Sequence, residues 1–342
     1  MSNSIALESL PAGPHYYPLQ SGKYTVAPNL HPLGRDLGQG DFDKDSVSFT
    51  NQFLRFRENK TSAFLHRKEK HFLTSNLSEH DSRAIALKLA ALLESHRSSN
   101  LQVIRKNQRI EITNLLLGDY VVLSESGDLL QAKVFDSDKI EIKELSINSQ
   151  SGISDQRTID ALVFLFQEDF AVVKRYPSPA SKYDELVYLG VCGPSHWPPE
   201  EKIGKSFIEV HQPVPHNENL LKFSNAMIDT MVTKGPLVRF VWSFVTDNRI
   251  NHHPDFGLTR NFDVTAKEPF YLRVEKQVIQ SIPDANLGLF FIGINFIPST
   301  MILSNPVMKS QLLATLGSMS EQAMSYKGIG SCAKQLIDYL EQ

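Results

Sequence analysis

The sequence predicts an α+β protein, and three observations carry that expectation. Short segments rich in β-branched and aromatic residues recur between Asn, Gly and Asp turns, as in QVIRKNQRIEI, YVVLSES and LVRFVWSFV. Other stretches repeat apolar residues at helical spacing, as in the run Ala84, Leu87, Ala91, Leu92. The two patterns come in blocks that share apolar faces, which favours helices packed on antiparallel sheet over an all-helical bundle. With 342 residues, 41% of them hydrophobic, the chain can bury a sizeable core as one elaborated domain or two coupled ones.

The first 50 residues are rich in Gly, Pro, Asp and Asn, with aromatic islands such as Tyr16-Tyr17, and read as an N-terminal arm or irregular packing layer. The rest, 51–342, reads as one region with a weak subdivision near residue 150. Phe53, Leu54, Phe56, Phe64 and Leu65 attach its start to the core. Ser78 and Asp81 mark a helix start whose pattern runs to His96. Strands follow at QVIRKNQRIEI, YVVLSES and LLQAKVFDSDKIEIKEL, and Asn148–Asp155 reads as a polar break. ISDQRTIDALVFLFQ is a helix capped near Ser154 or Asp155 that buries Ile159, Leu162, Val163 and Phe166. FAVVKR and ELVYLGVCG are strands, ENLLKFSNAMIDTMV is a helix, and LVRFVWSFV, FYLRVEKQVIQ and LGLFFIGINFI are successive strands. NPVMKSQLLATLGSM and CAKQLIDYL supply terminal helices.

Several function classes drop out. A formal charge of -3 provides no basic field for nucleic acid. There is no apolar run of membrane-spanning length and no basic leader before an apolar segment, so the expectation is a soluble cytoplasmic protein. Cys192 and Cys332 form no CxxC pair. His66 and His71 have the wrong spacing for a one-turn metal pair, and adjacent His252 and His253 diverge on a strand, so neither specifies zinc. HExxH, GxGxxG and GxxxxGK[ST] are absent, and KGIGS is too short to replace a nucleotide loop.

Chemistry-bearing residues concentrate between Gln167 and Pro298. In FIEVHQPVPH an extended strand sends Glu209 and His211 to one side, with Pro213 and Pro215 holding His211 at a pocket rim. A neutral imidazole there can ligate iron or transfer protons; the competing reading is a structural or surface histidine. Arg273, Glu275 and Gln277 alternate along FYLRVEKQVIQ and share a face, opposite Leu272, Val274 and Val278. Arg273 is the best anion anchor, and a solvated Arg273–Glu275 ion pair is the alternative. Arg239 and Trp242 fall on one strand face only if the strand bulges. Trp197 is either a core residue or a pocket wall.

Taken together, QEDFAVVKR, GPSHWPPEEKIGK, IEVHQPVP, RFVWSF and LRVEKQVIQSIPDANLGLFFI resemble the haem-dependent oxidative N-demethylase family, from roughly Phe53 to Tyr326–Gly328. The resemblance implies a PAS-like core holding haem b. It implies a small secondary or tertiary amine and oxygen as substrates, with formaldehyde released. By the same resemblance His211 is the iron ligand, Arg239 and Arg273 meet the haem propionates, and Trp197 or Trp242 packs beside the macrocycle. Glu275 and Gln277 are the candidate catalytic residues, arranging water, substrate or the arginines. The chain shows no flavin, iron–sulfur or nicotinamide module. The resemblance implies a larger assembly, with reducing equivalents from a flavin/iron–sulfur reductase partner and a further formaldehyde-accepting partner. The chain departs from the family pattern at His216, where glycine is common, in VCGPSHW, and at Asn295-Phe296 in place of a threonine-tyrosine pair. A noncatalytic PAS-like haem or ligand sensor, or a structural subunit, is the alternative.

Overall fold

The computed structural model describes residues 10–38, 44–177, 182–257 and 270–341. The described part of the first 50 residues carries only β1 (His31–Pro32) as regular structure. Its Tyr16, Tyr17 and Leu19 are nonetheless buried against the C-terminal helices. Next come α1 (Phe53–His71), β2 (Phe72–Thr74) and α2 (Glu79–Ser95). Helix α1 carries no sequence signature of its length because Arg57 and Lys60 interrupt its apolar stripe, yet both are buried. Arg57 forks onto Asp119 with both contacts at 2.8 Å. Lys60 Nζ donates to the Val163 and Phe166 carbonyls at 3.1 and 2.8 Å. These carbonyls lie at the C-terminal end of α3 (Gln156–Val163), where carbonyl groups lack helical partners and a cation is favoured. The start of α2 is the expected capping box, with Ser78 and Asp81 bonding each other's backbone N–H.

Strands β3 (Leu101–Lys106), β4 (Arg109–Asn114), β5 (Asp119–Ser124), β6 (Leu129–Lys133) and β7 (Ile147–Ile153) form an antiparallel five-stranded sheet in chain order. The expected break at 148–155 is therefore mostly strand. β7 is an edge strand with its side chains partly or fully exposed, so its polar composition imitates a loop. The segment after β6 forms a 3₁₀ turn at Lys143–Leu145 instead of extending the strand.

The remaining strands are β8 (Asp169–Arg175), β9 (Asp184–Gly190), β10 (Leu237–Val245), β11 (Tyr271–Ile282) and β12 (Leu287–Pro298). With β1 and β2 they build a seven-stranded sheet in the order β1-β10-β11-β12-β8-β9-β2. Between β9 and β10 lie α4 (Phe207–His211), α5 (Glu218–Lys222) and α6 (Ser224–Thr233). The single helix expected from ENLLKFSNAMIDTMV is thus two, separated at Phe223. The chain ends in α7 (Ser299–Ser304), α8 (Pro306–Gly317), α9 (Glu321–Tyr326) and α10 (Ala333–Glu341).

Register fixes what each sheet face presents. Trp242, Phe244, Leu272, Val274 and Ile297 pack on the C-terminal helices through Leu312, Leu316, Leu336 and Leu340. Farther along the same face, Val278, Leu289 and Phe291 join a cluster that includes Leu89 of α2, Ile112 and Val121 of the five-stranded sheet, and Leu162 of α3. One apolar core thus takes residues from both sheets. The other face holds the candidate site.

Candidate functional site

Along β10, β11 and β12 the three-residue rows Arg239–Gln277–Ile292, Val241–Glu275–Ile294 and Ser243–Arg273–Phe296 lie side by side on that face. Period-two alternation thus brings Arg273, Glu275 and Gln277 together as expected, with Leu272, Val274 and Val278 buried behind them. At one end α6 covers the face, where Ile228 and Met231 pack with Val173, Ile279 and Phe207. At the other end Arg273 ties down two loops. Its Nη1 donates to the Ile250 carbonyl at 2.8 Å and its Nη2 to the Gly193 carbonyl. Between these ends Val241, Glu275, Gln277, Phe290 and Ile292 remain half-buried, although β11 and β12 have neighbours on both edges. A central strand side chain left partly open on a covered face marks a cleft. Trp197 borders it, packed near Ala171, Leu189, Val191 and Phe290.

A polar row crosses the cleft floor. Arg239 Nε donates to Gln277 Oε1 at 2.8 Å, and Gln277 Nε2 donates to Glu275 Oε2 at 3.1 Å. Glu275 Oε1 stands 3.6 Å from Arg273 Nη2. Burial lowers the Arg239 guanidinium from its usual range, and the Glu275 charge opposes that shift. Among the described residues the Arg239 Nη groups have no hydrogen-bond partner, so its fork is available to an anionic ligand.

His211 reaches this region from a helix, which corrects the expected strand. Ser206 and Glu209 form a capping box that starts α4, so Glu209 is bound to its own helix start. Residues two apart on a helix point to different sides, and Glu209 does not share a face with His211. The His211 ring stacks on Phe207, centroids 4.0 Å apart, and its Nδ1 lies 2.8 Å from the Phe207 carbonyl. Burial pushes the imidazole down to about 4, helped by the Arg239 charge, while the carbonyl contact opposes the shift. The ring is therefore neutral at pH 7. Nδ1–H donates to the carbonyl, and Nε2 keeps its lone pair with no partner among the described residues. That is the arrangement a metal-binding imidazole uses, with the second nitrogen fixing the tautomer. Lys202 adds a second positive charge to the field at the ring.

Two expected members do not join the row in the expected way. Trp242 lies across the sheet from Arg239 because β10 keeps its register without a bulge. Its ring meets Tyr24 edge-on at 6.0 Å, and Lys327 Nζ sits 4.6 Å from its centroid. It belongs to the C-terminal layer, not to the cleft. Arg273 is on the cleft face but fully buried, with both Nη groups spent on loop carbonyls, so it is a strut. Sequence reasoning also missed Lys202, Phe290 and Ile292. Alternation in GLFFIGINFI contains the signal for the last two, but not which face is open.

The departures find places too. His216 adopts φ 55°, the left-handed conformation glycine favours, and its Nε2 is 2.9 Å from Ser320 Oγ. Phe296 lies on the cleft face beside Arg273 and presents an apolar ring there, 5.7 Å from the guanidinium. Glu200, His253 and Asp255 bring three potential ligand atoms within 4.8 Å. Lys70 Nζ, however, stands 2.7 Å from Glu200 and 3.3 Å from Asp255, so an ammonium already supplies the positive charge.

No helix among the described residues is long and apolar enough to cross a membrane. A family model described as haem-dependent oxidative N-demethylase, alpha subunit-like, matches residues 44–337. The chain belongs to the haem-dependent oxidative N-demethylase alpha subunit-like family.

Proposed function

We propose that the chain is the haem b-bearing component of an oxidative N-demethylase that acts on a small secondary or tertiary amine and releases formaldehyde. The observation that carries this reading is His211: a neutral imidazole, anchored through Nδ1, with an Nε2 that has no partner among the described residues, in the field of Arg239 and Lys202. Those residues fit haem. His211 would hold the iron, and Arg239 with Lys202 would face the propionates. Trp197, Phe290 and Ile292 offer apolar surface for the macrocycle. Noncovalent haem b suits a chain whose two cysteines, Cys192 and Cys332, are buried and far apart in sequence. The order β9-β8-β12-β11-β10, with helices in the crossover from β9 to β10, supports a PAS-like core.

Haem, when bound, supplies oxygen activation and oxidative chemistry at the substrate methyl group. The chain's own part is to bind and orient. A dialkylamine enters mostly as an ammonium at pH 7, much as lysine does. The Glu275 carboxylate, 16% exposed in the cleft, is placed to accept its N–H and hold its proton. Gln277 keeps the Arg239 fork directed, and the apolar wall excludes water. Electrons come from a flavin/iron–sulfur reductase partner, and formaldehyde passes to an accepting partner, in the cytoplasm.

One observation favours a second reading. Phe296 presents an apolar ring beside Arg273 where the family resemblance implies a hydroxyl, which suits a protein that binds haem or ligand without turnover. A spectrum with haem quantification, followed by formaldehyde assay with amines and an electron donor, separates the readings. Stoichiometric haem with amine-dependent formaldehyde supports the demethylase. Haem without formaldehyde supports the sensor, and folded protein that refuses haem overturns both haem readings.

A further inference from the structure

His211 stands at the end of a helix too short to hold itself. Helix α4 is a single turn, and a single turn is unfavourable without outside support. Its start is anchored: Phe207 N donates to Asp184 Oδ2 at 2.6 Å, and the Phe207 ring packs with Val173, Ile228 and Met231. The His211 ring depends on the whole turn, because its Nδ1 contact is to the carbonyl of Phe207, four residues back. The end of the turn is held by the loop that follows. Val214 N donates to the His211 carbonyl at 3.0 Å. Asn217 Nδ2 spans the carbonyls of His211 and Gln212, each at 3.1 Å. Pro213 and Pro215 restrict the chain between them. His216 then ties this loop to a distant element. Its left-handed backbone, φ 55°, costs a residue with a Cβ more than it costs glycine. What the side chain adds is the contact of Nε2 with Ser320 Oγ at 2.9 Å, across 104 positions of sequence. Ser320 is a fixed post. It caps α9 by accepting from Ala323 N at 3.2 Å, and just past the other end of α9 Lys327 Nζ donates to the Trp242 carbonyl of β10 at 2.6 Å.

We propose that His216 and Asn217 are positioning residues for His211: Asn217 clamps the end of its helical turn, and His216 latches the same loop to the anchored helix α9. The inference rests on the reading of His211 as the haem ligand. The Phe207 carbonyl fixes the tautomer of the imidazole, and the clamp and latch fix where its Nε2 points. A glycine at 216 would keep the turn and lose the latch, so this chain holds its ligand loop from a second side. The His216 contact is exposed and water competes for both partners. It therefore adds little to global stability, and its effect is on the placement of one loop.

Three variants of the full chain test this. His216→Asn tolerates the left-handed backbone but is too short to reach Ser320. Ser320→Gly removes the hydroxyl and keeps most of the helix cap. Asn217→Ala removes the clamp. The first measurement uses haem-free protein labelled with ¹⁵N-histidine. Wild-type His211 is expected as the Nδ1–H tautomer, and each variant should mix in the Nε2–H form. The second uses haem-loaded protein. The iron–histidine stretching band of the ferrous form, read by resonance Raman, should shift or broaden in each variant. Haem loss to a scavenger apoprotein should be roughly 3-fold faster in His216→Asn and roughly 10-fold faster in Asn217→Ala, the factors for one exposed hydrogen bond and two better-shielded ones. His216→Asn combined with Ser320→Gly should do no more than either alone, since both remove one contact. Urea midpoints of haem-free His216→Asn and Ser320→Gly should stay close to wild type. Wild-type tautomer and band in His216→Asn overturn the latch, and the same result in Asn217→Ala overturns the clamp. Faster haem loss that follows the urea midpoint, with tautomer and band unmoved, is a packing defect and overturns both. If the wild type takes up no haem, the haem reading fails, and the tautomer alone decides whether His216 and Asn217 position the ring.

Discussion

Arg239 on β10 and Gln277 on β11 are direct cross-strand partners, and the 2.8 Å bond from Arg239 Nε to Gln277 Oε1 leaves both Nη groups of the arginine without a hydrogen-bond partner among the described residues. An arginine held by Nε alone presents its two Nη donors as a preset clamp for a carboxylate. Gln277 is itself held by Glu275, so the clamp is built from three residues on two strands.

Replacing Gln277 by Leu should therefore weaken haem retention without removing a charge. The Arg239 fork would turn onto Glu275 and form an internal ion pair. Arg239→Gln should weaken retention more, because it removes the charge itself. Roughly 10-fold and 10²-fold faster haem loss to a scavenger apoprotein are expected, the difference between a misdirected and a missing charge-assisted contact. Equal retention in wild type and both variants would place the propionates elsewhere.

Arg273 should respond differently, although it shares the face with Arg239. Its guanidinium joins the loops at Gly193 and Ile250 to the sheet, so Arg273→Met leaves two buried carbonyls without a partner and Glu275 with Gln277 alone. A loss of about 3 kcal/mol in unfolding free energy is expected, read by urea denaturation of the haem-free protein. Arg239→Met should cost about 1 kcal/mol in the same assay, since its Nη groups hold no partner among the described residues. Equal costs would mean that the two arginines play the same structural part.

His211 gives a pH signature. Its pKa is lowered to about 4 in the folded chain, mainly by burial, against about 6.5 when unfolded. Between these values the unfolded chain binds the proton and the folded chain does not, so stability falls as pH drops from about 6.5 to about 4. The loss should be on the order of 2 kcal/mol, and His211→Gln should flatten that part of the stability curve. The same substitution should abolish the ligand-dependent shift of the haem spectrum. A variant with wild-type spectrum and wild-type pH slope would remove His211 from the site.

The residues behind these predictions differ in how visible they were before folding. The Ser78–Asp81 capping box and the alternation of Arg273, Glu275 and Gln277 are local relations, so the sequence carries them directly. Helix α4 was also written locally, in Ser206 and Glu209, but Ile208 and Val210 favour extended backbone and mask it. Helix α1 was hidden because Arg57 and Lys60 are buried through partners more than 60 residues away in the chain. The placement of Trp242 opposite Arg239 depended on whether β10 bulges, and no residue within RFVWSF decides that. Lys202 comes into the field at His211 only through the folding of the loop between β9 and α4, which no spacing rule encodes.

Asp160 supplies a test of opposite sign. It lies buried in α3, where Tyr188 Oη donates to its Oδ1 at 2.8 Å and Lys68 Nζ stands 3.5 Å from its Oδ2. Burial raises its carboxyl to about 6, and the Tyr188 and Lys68 contacts only partly offset that. The folded chain therefore holds a proton that the unfolded chain releases near pH 4. The stabilisation is full below about 4 and is lost as pH rises through about 6. Asp160→Asn keeps an acceptor for Tyr188 and removes the buried charge. The variant should exceed wild type by about 2 kcal/mol at pH 7.5 and match it near pH 4, read by urea unfolding. Destabilisation at pH 7.5 would show instead that the Lys68 pairing outweighs the cost of burying the carboxylate.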